Sequence, residues 1–441
     1  MRRESRWYGS GSVLSEGVVF RTLVFLAGLF ACIPVITVFS VSIYKVIVLL
    51  IAIYLVISGR LFFLVTGLQV FAILSLITCF ITVLQLPNAY ANADLSGTLS
   101  IILIALVAPC IVSDKAASVG FIDGVMVAGK LNVIWIYIQT FLSAVFAVDI
   151  NDLLFTQILK MVDVASQYKV HGLVATGLCW NAGGITAALL IVFILASNPW
   201  WKLLTLLAGL LTQSSTAFIG LALCACVLIL KWLKNASIVI QQKIPFGSIS
   251  IVIATIAVFL FMCSVSAELQ NTVISYLDIT VYRINTILGT RTYDSSAQAH
   301  LGYYTNLASL LNNAGIIELF FGYGVNCSGL PYTALFGQYA ALDSWAIESD
   351  IVNTLLGMGL LGCISLYYWL VKCVIRSWST NKTVAALIAI FIICGFFYNL
   401  QSVNSYWLLL VEAALVRCAL DTSSIDNSSC TSAMKACRDE Q

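Results

Sequence analysis

Long apolar runs along almost the whole chain constrain this sequence more than any other feature. A helix needs about 20 mostly apolar residues to cross the hydrocarbon core of a bilayer. Of the 441 residues, 61% are hydrophobic and 10% are charged, so a soluble fold could not cover the apolar surface. We therefore predict an all-α, polytopic membrane protein of about 12 transmembrane helices. The predicted spans are 18–39, 42–58, 61–84, 98–113, 124–148, 172–196, 199–213, 215–231, 248–266, 349–371, 383–400 and 402–418.

The distribution of lysine and arginine predicts the orientation. With the N-terminus in the cytoplasm and twelve spans, fifteen cationic residues fall on the cytoplasmic side and five on the outer side. Cytoplasmic loops of membrane proteins carry this excess, so both termini are predicted to be cytoplasmic. The polar stretch TQSST (212–216) separates two of the spans, and one bent helix there would invert everything that follows. The net charge of +2 gives no reason to expect a nucleic-acid partner.

One long polar segment interrupts the apolar runs and defines the domain organisation. Residues 1–266 hold helices 1–9, residues 267–348 form a large periplasmic loop, 349–418 hold helices 10–12, and 419–441 form a cytoplasmic tail. Loops of this length usually have a functional role. Apolar residues at helical spacing predict one amphipathic helix over 303–320, so we expect a folded cap with helices of its own.

The cations of this loop are candidates for binding a phosphate. Arg283 and Arg291 are eight residues apart, which puts them on one face if the stretch is helical. Guanidinium groups bind phosphate oxygens through paired hydrogen bonds, which suits a lipid pyrophosphate at the membrane surface. The alternative is that both arginines pair with Asp278, Asp294 or lipid headgroups.

Acidic residues mark the end of the same loop. Glu348 and Asp350 precede a span, where a carboxylate at the membrane boundary could act as a general base. The alternative is helix capping, with Ser349 or Asp350 as the cap. His300, in the same loop, is a rival for the base.

Polar residues near the outer ends of the spans predict a cavity. The segment HGLVATGLCWNAGG (171–184) is polar for a span, and we assign His171, Asn181 and, from the loop, Tyr323 to the cavity lining. The two histidines lack zinc-ligand spacing, so no metal is expected. No phosphate-binding loop or dinucleotide fingerprint occurs, so no cofactor is expected. Most of the fourteen cysteines lie in apolar runs, which predicts no disulfide framework.

Several stretches resemble the O-antigen polymerase and ligase superfamily. FGYGVN (321–326) followed by ESDIVNTLLGMGLLG (348–362) is similar to the family's loop end and the glycine-rich helix after it. HGLVATGLCWNAGG (171–184) and LLTQSSTAFIGLAL (210–223) resemble two middle-span motifs, although the second lacks the family's arginine. Arg291 and Gly302 match an arginine–glycine spacing of some polymerases. The ligase branch usually has a histidine where this chain has Glu348 to Asp350, so the resemblance favours a polymerase.

The resemblance implies a metal-independent glycosyltransferase of the bacterial inner membrane. It would join undecaprenyl-pyrophosphate-linked repeat units into O-antigen or a related surface polysaccharide at the outer face of that membrane. An acceptor hydroxyl would attack the donor's anomeric carbon, with the lipid pyrophosphate as leaving group. The implied partners are the lipid-linked donor and acceptor glycans, membrane lipid and a chain-length regulator protein. Two alternatives remain open, an O-antigen ligase and a secondary transporter.

Overall fold

The structure of the protein, a computed structural model, is helical almost throughout. It describes residues 10–38, 41–62, 64–85, 88–146, 148–161, 175–179, 183–236, 302–336, 347–401 and 403–420. In these ranges one short antiparallel hairpin joins β1 (Thr37–Val38) to β2 (Val41–Ser42). The chain divides into two compact units, one comprising Met1–Gly129 with His300–Gln441 and the other Lys130–Ala299.

The first unit contains most of the helices. Its helices before the division are α1 (Ser10–Ala31), α2 (Ile43–Ile57), α3 (Gly67–Gln85), α4 (Asn88–Ser113) and the start of α5 (Lys115–Phe146). Those after it are α9 (Leu307–Asn312), α10 (Ile316–Phe321), α11 (Gly329–Phe336), α12 (Asp350–Trp378), α13 (Lys382–Cys394) and α14 (residues 407–420), with a 3₁₀ turn at Val403–Tyr406 before α14. The second unit contains the rest of α5, a π-helical segment (Asp152–Ile158), α6 (Thr186–Leu195), α7 (Pro199–Leu211) and α8 (Ser215–Ala236).

Five of the described helices are long and apolar enough to cross a membrane, and they lie within α3, α4, α5, α8 and α12. Large apolar side chains remain exposed on them in stripes. On α12 the exposed residues Ile364, Tyr368, Val371 and Ile375 recur every three or four positions, which places them on one face. A soluble protein rarely exposes such a continuous apolar surface, whereas a bilayer covers it.

Close helix contacts in the first unit depend on small residues. A Cβ added to Gly28 of α1 would lie 2.1 Å from the carbonyl oxygen of Phe121, and one added to Gly124 of α5 would lie 2.2 Å from that of Phe25. Small residues allow this approach of two backbones, which is a common way for membrane helices to pack.

The two ends of the first unit are distinguished by their polar contacts. At one end Arg21 of α1 forms an ion pair with Asp114, which also accepts hydrogen bonds from the first turn of α5. At the other end Lys45 of α2 donates to Ser96 of α4, and Asn326 lies against Gly97. The segment 322–328 therefore lies at the end of the unit opposite to Arg21.

The structure corrects two predicted helices. Among its described residues (175–179 and 183–196), the span predicted over 172–196 is helical only from Thr186. The backbone N–H groups of residues 176–178 donate to the side chains of Gln139 and Asn132 instead of to helix carbonyls. The single helix predicted over 303–320 is also wrong. The chain forms α9 and α10 there, separated by a turn in which Asn313 donates to the carbonyl of Ser309.

Other predictions about the helices are confirmed. The predicted separation at TQSST is confirmed, since α7 ends at Leu211 and α8 begins at Ser215. The polar segment before α12 contains short helices, as expected. The count of twelve spans and the side of the membrane on which each loop lies remain predictions, and the proposed span 248–266 lies outside the described residues.

Candidate functional site

The beginning of α12 is held by polar contacts to the turn after α13. The backbone N–H of Asp350 donates to the carbonyl of Gly395 over 2.8 Å. In return, the carboxylate of Asp350 accepts the backbone N–H of Gln401, at 3.0 Å to Oδ1 and 2.9 Å to Oδ2. Asp350 is 1% exposed. A buried carboxylate bound in this way fixes the 395–401 turn against the first residue of α12.

Ser349 occupies the N-cap position of α12, but its side chain makes no capping hydrogen bond. Its hydroxyl lies 2.8 Å from the hydroxyl of Tyr304, which itself donates to the carbonyl of Phe396 over 2.6 Å. The phenol has one proton, so Ser349 is the donor to Tyr304. The capping alternative is therefore correct in position, since Ser349 is the N-cap residue, but its hydroxyl bonds to Tyr304 and not to the first turn of α12.

Tyr304 keeps its proton over a wide pH range. Burial raises the pKa of its phenol, the hydrogen bond from Ser349 opposes that shift, and the charge of Asp350 adds to it. The phenol therefore remains a neutral donor to Phe396 at physiological pH. This contact joins the loop segment that precedes α9 to the turn after α13.

Gln401 connects Asp350 to a second buried acid. Its side-chain Nε2 donates to Oε1 of Glu412 over 2.7 Å, while its backbone binds Asp350. Glu412 is fully buried in α14, a helix enclosed by protein from Tyr406 to Val416. Ionisable groups within membrane segments are costly and indicate a functional role by default.

The glycine-rich part of α12 is not a continuous helix. At Gly359 the backbone has φ 66° and ψ −173°, a conformation that glycine alone adopts readily. Next to this break the loop segment FGYG lies along the helix, so that the N–H groups of Tyr323 and Gly324 donate to the carbonyls of Leu356 and Gly357 over 2.8 and 2.9 Å. Irregular backbone at membrane depth persists only where protein or a cavity satisfies its polar groups.

A further buried acid supports the same loop segment. Asp94 of α4 is fully buried, and its Oδ1 accepts the backbone N–H of Val325 over 2.5 Å. The predicted span begins at residue 98, so Asp94 looked like part of a polar loop. The helix in fact begins at Asn88, which places Asp94 inside it. In the sequence, only the position of Asp94 just before an apolar run indicates that this carboxylate could be buried.

The structure describes three of the predicted site residues. Glu348 is half-buried immediately before the cap of α12, and Asp350 is buried below it. Tyr323 is half-buried and pairs through its backbone with α12, while burial and the charge of Glu318 raise the pKa of its phenol. The remaining predicted residues lie outside the described part of the chain. They are Arg283, Arg291, His300, His171 and Asn181.

The helices, the exposed apolar stripes and the buried carboxylates define an all-α membrane protein. No protein-family model matches this chain, and no curated protein shows significant similarity to it. Function must therefore be argued from its own residues.

Proposed function

We propose that this protein is a membrane glycosyltransferase that polymerises undecaprenyl-pyrophosphate-linked oligosaccharide repeat units at the outer face of the bacterial inner membrane. The observation that carries the proposal is the pair of acidic residues at the start of α12, Glu348 and Asp350, which we call the acidic step. Glu348 is half-buried at the mouth of a membrane helix, and the two residues after it are fixed by bonds to Tyr304, Gly395 and Gln401.

The arrangement supports different roles for the two acids. Asp350 is 1% exposed and its carboxylate binds a backbone N–H, so it suits positioning. Glu348 is more accessible and sits on backbone that Asp350 holds in place, so it suits proton transfer. A general base must be held within hydrogen-bond reach of the group that it deprotonates, and a rigid support provides that.

In the proposed reaction Glu348 accepts the proton of an acceptor sugar hydroxyl. The hydroxyl oxygen forms a bond to the donor's anomeric carbon as the bond from that carbon to the pyrophosphate oxygen breaks. The lipid pyrophosphate leaves with the electron pair, and Arg283 and Arg291 neutralise its charge. The role of these arginines rests on the sequence and on the resemblance.

The experiment uses the full chain, purified in lipid nanodiscs, with lipid-linked repeat units as substrate. Glu348→Gln should reduce the rate of polymer formation by about 10²–10⁴-fold, the usual contribution of a general base. Glu318→Gln, on α10 of the same loop, is the matched control and should keep full activity. A normal glycan ladder from Glu348→Gln would refute Glu348 as the base, and loss of activity in well-folded Asp350→Asn alone would assign that role to Asp350.

The proposed pyrophosphate-binding role of Arg283 and Arg291 gives a second test. Arg291→Ala should abolish long-chain polysaccharide while the protein stays in the membrane in normal amount. Lys45→Ala is a control, since its described partner is Ser96 of α4. Chains of normal length from Arg291→Ala would contradict the pyrophosphate-binding role.

A secondary transporter is the second candidate, and the break in α12 favours it. Transporters build substrate sites from interrupted helices, and α12 is interrupted at Gly359, where it packs against the backbone of Phe320. Deletion of the gene separates the candidates. Loss of a polymerase leaves single repeat units on the surface lipid, loss of a ligase leaves none attached, and loss of an unrelated transporter changes neither.

A further inference from the structure

Two buried side chains in the first unit share one hydrogen bond, and each has a second oxygen without a partner in the described residues. Gln401 is 2% exposed, Glu412 is fully buried, and the amide of Gln401 donates to Oε1 of Glu412 over 2.7 Å. The second oxygen of each group, Oε1 of Gln401 and Oε2 of Glu412, has no hydrogen-bond partner within the described part of the chain. Buried polar atoms are rarely left in this state, so the pair requires an explanation.

An ionised Glu412 does not resolve the problem. A carboxylate only accepts hydrogen bonds, and the free oxygen of the Gln401 amide is also an acceptor. The two atoms would then remain unsatisfied, and one would carry negative charge inside the protein. A protonated carboxyl has one O–H donor, which is the group that the amide oxygen lacks.

We propose that Oε2 of Glu412 is a proton-binding site, in which the bound proton is donated to Oε1 of Gln401. The acid and the amide then form a cyclic pair with two hydrogen bonds, one in each direction. The proton comes from water when the site fills and returns to water when it empties. The observations behind this site do not depend on the proposed glycosyl transfer, although the site is connected to the start of α12 through Gln401.

The surroundings of Glu412 favour the neutral form. The titratable groups on α12 that act on it electrostatically are Asp350, Tyr367 and Cys373, and none of the three is a cation. On α14 itself, Arg417 follows five residues later. A negative charge on Glu412 would be repelled by Asp350, whose carboxylate binds the backbone of the same Gln401.

A bound metal ion is the less suitable occupant. The described residues contain no group of three or more His, Cys, Asp or Glu side chains that could hold one. A single proton satisfies the two unpaired oxygens, whereas a hard cation takes six or more oxygen ligands.

The ionisation of Glu412 therefore bears on the start of α12. Loss of the proton would remove one of the two hydrogen bonds of the cyclic pair and would leave Oε1 of Gln401 without a donor, while Nε2 of Gln401 would still donate to Oε1 of Glu412. The backbone of Gln401 is one of the contacts that fix Asp350, so the 395–401 turn would loosen with it. The site consequently links proton binding in α14 to the position of the acidic step.

Infrared spectroscopy of the full chain in nanodiscs tests this directly. With carbon-13 in glutamate alone, the wild-type spectrum minus that of Glu412→Gln should contain a protonated-acid C=O band at neutral pH. The amide of Glu412→Gln can form the same cyclic pair, so its apparent Tm should equal that of the wild type at neutral pH. Gln401→Leu should shift the acid band, because the hydrogen bonds to Glu412 are lost.

Two results would overturn the proposal. One is a difference spectrum that contains carboxylate bands alone, which means that Glu412 is ionised. The other is the absence of any protonated-acid band from the labelled wild type at neutral pH, where exposed glutamates are ionised, which means that Glu412 carries no bound proton. This measurement uses the wild type alone, so it is decisive even if the variants fold poorly.

Discussion

The break in α12 predicts that Gly359→Ala strongly destabilises the protein. Gly359 has φ 66° and ψ −173°, and a Cβ at this position would lie 2.3 Å from the carbonyl carbon and oxygen of Phe320. Both atoms belong to the backbone of α10, so no side-chain rotation can relieve the contact. Alanine would have to separate α10 from α12 or change the backbone conformation of the break.

Two contributions set the size of the effect. A residue other than glycine in this region of backbone conformation costs about 1–3 kcal/mol. Forcing an extra methyl group into a packed contact costs about 1–3 kcal/mol more. The expected loss is about 2–6 kcal/mol, a large part of the roughly 5–15 kcal/mol by which a domain is stable. At about 2–4 °C per kcal/mol, the apparent Tm should fall by about 4–24 °C.

The assay is thermal unfolding of the detergent-solubilised protein, with the amount in the membrane fraction measured in parallel. Gly120→Ala is the matched control, because a Cβ at Gly120 of α5 would meet no atom closer than 3.9 Å. Alanine is favoured over glycine in a helix by up to about 1 kcal/mol, so this variant should equal or exceed the wild type. A Gly359→Ala protein that melts within about 2 °C of the wild type would refute the break and the contact with α10.

Three further predictions concern individual contacts. Tyr304→Phe removes the hydroxyl that joins Ser349 to Phe396 and should cost about 1–2 kcal/mol. Because the folded-state pKa of Tyr304 is raised, its contribution is complete below about pH 10 and declines as the pH rises through the folded-state value, so the Tm difference should shrink only in strong alkali. Cys327 is fully buried and burial raises its pKa to about 12, so about one thiol in 10⁴ is ionised at pH 8 and alkylation of the native protein should spare it until denaturant is added. Arg21→Ala breaks an exposed ion pair and should cost less than about 1 kcal/mol, since side chains 54% and 31% exposed are well screened; a Tm drop above 4 °C would argue otherwise.

The sequence predicts the local parts of this fold well. Apolar runs identify the helices because the signal needs no knowledge of distant partners. The separation of α7 from α8 follows from polar residues in the run itself, where Gln213 adopts φ 53° and the hydroxyl of Thr212 bonds back to Gly209. The acidic step at Glu348 and Asp350 was likewise recognisable, because carboxylates stand out next to an apolar run.

Features that depend on distant residues were not predictable in the same way. Asp94 and Val325 are 231 positions apart, and the sequence near either one does not indicate the other. The sequence marks Gly357 and Gly359 only as part of a glycine-rich run, and their role depends on the backbone of residues 320–325. Gln401 resembled an ordinary residue at the edge of a span, and its importance comes from Asp350 and Glu412.

The division of the first unit between both ends of the chain has a consequence for biosynthesis. Helices α1 to α4 leave the ribosome before residues 130–299 are made. Val325, which donates to Asp94, and Ser365, which donates to the carbonyl of Gly67, both come after that segment. At about 5–20 residues per second, the early helices wait for about ten to thirty seconds before these two contacts can form. Of the described helices α14 comes last in the chain, and protein encloses it from residue 407 to Val416, so it can pack only after every other described element of the unit has been made.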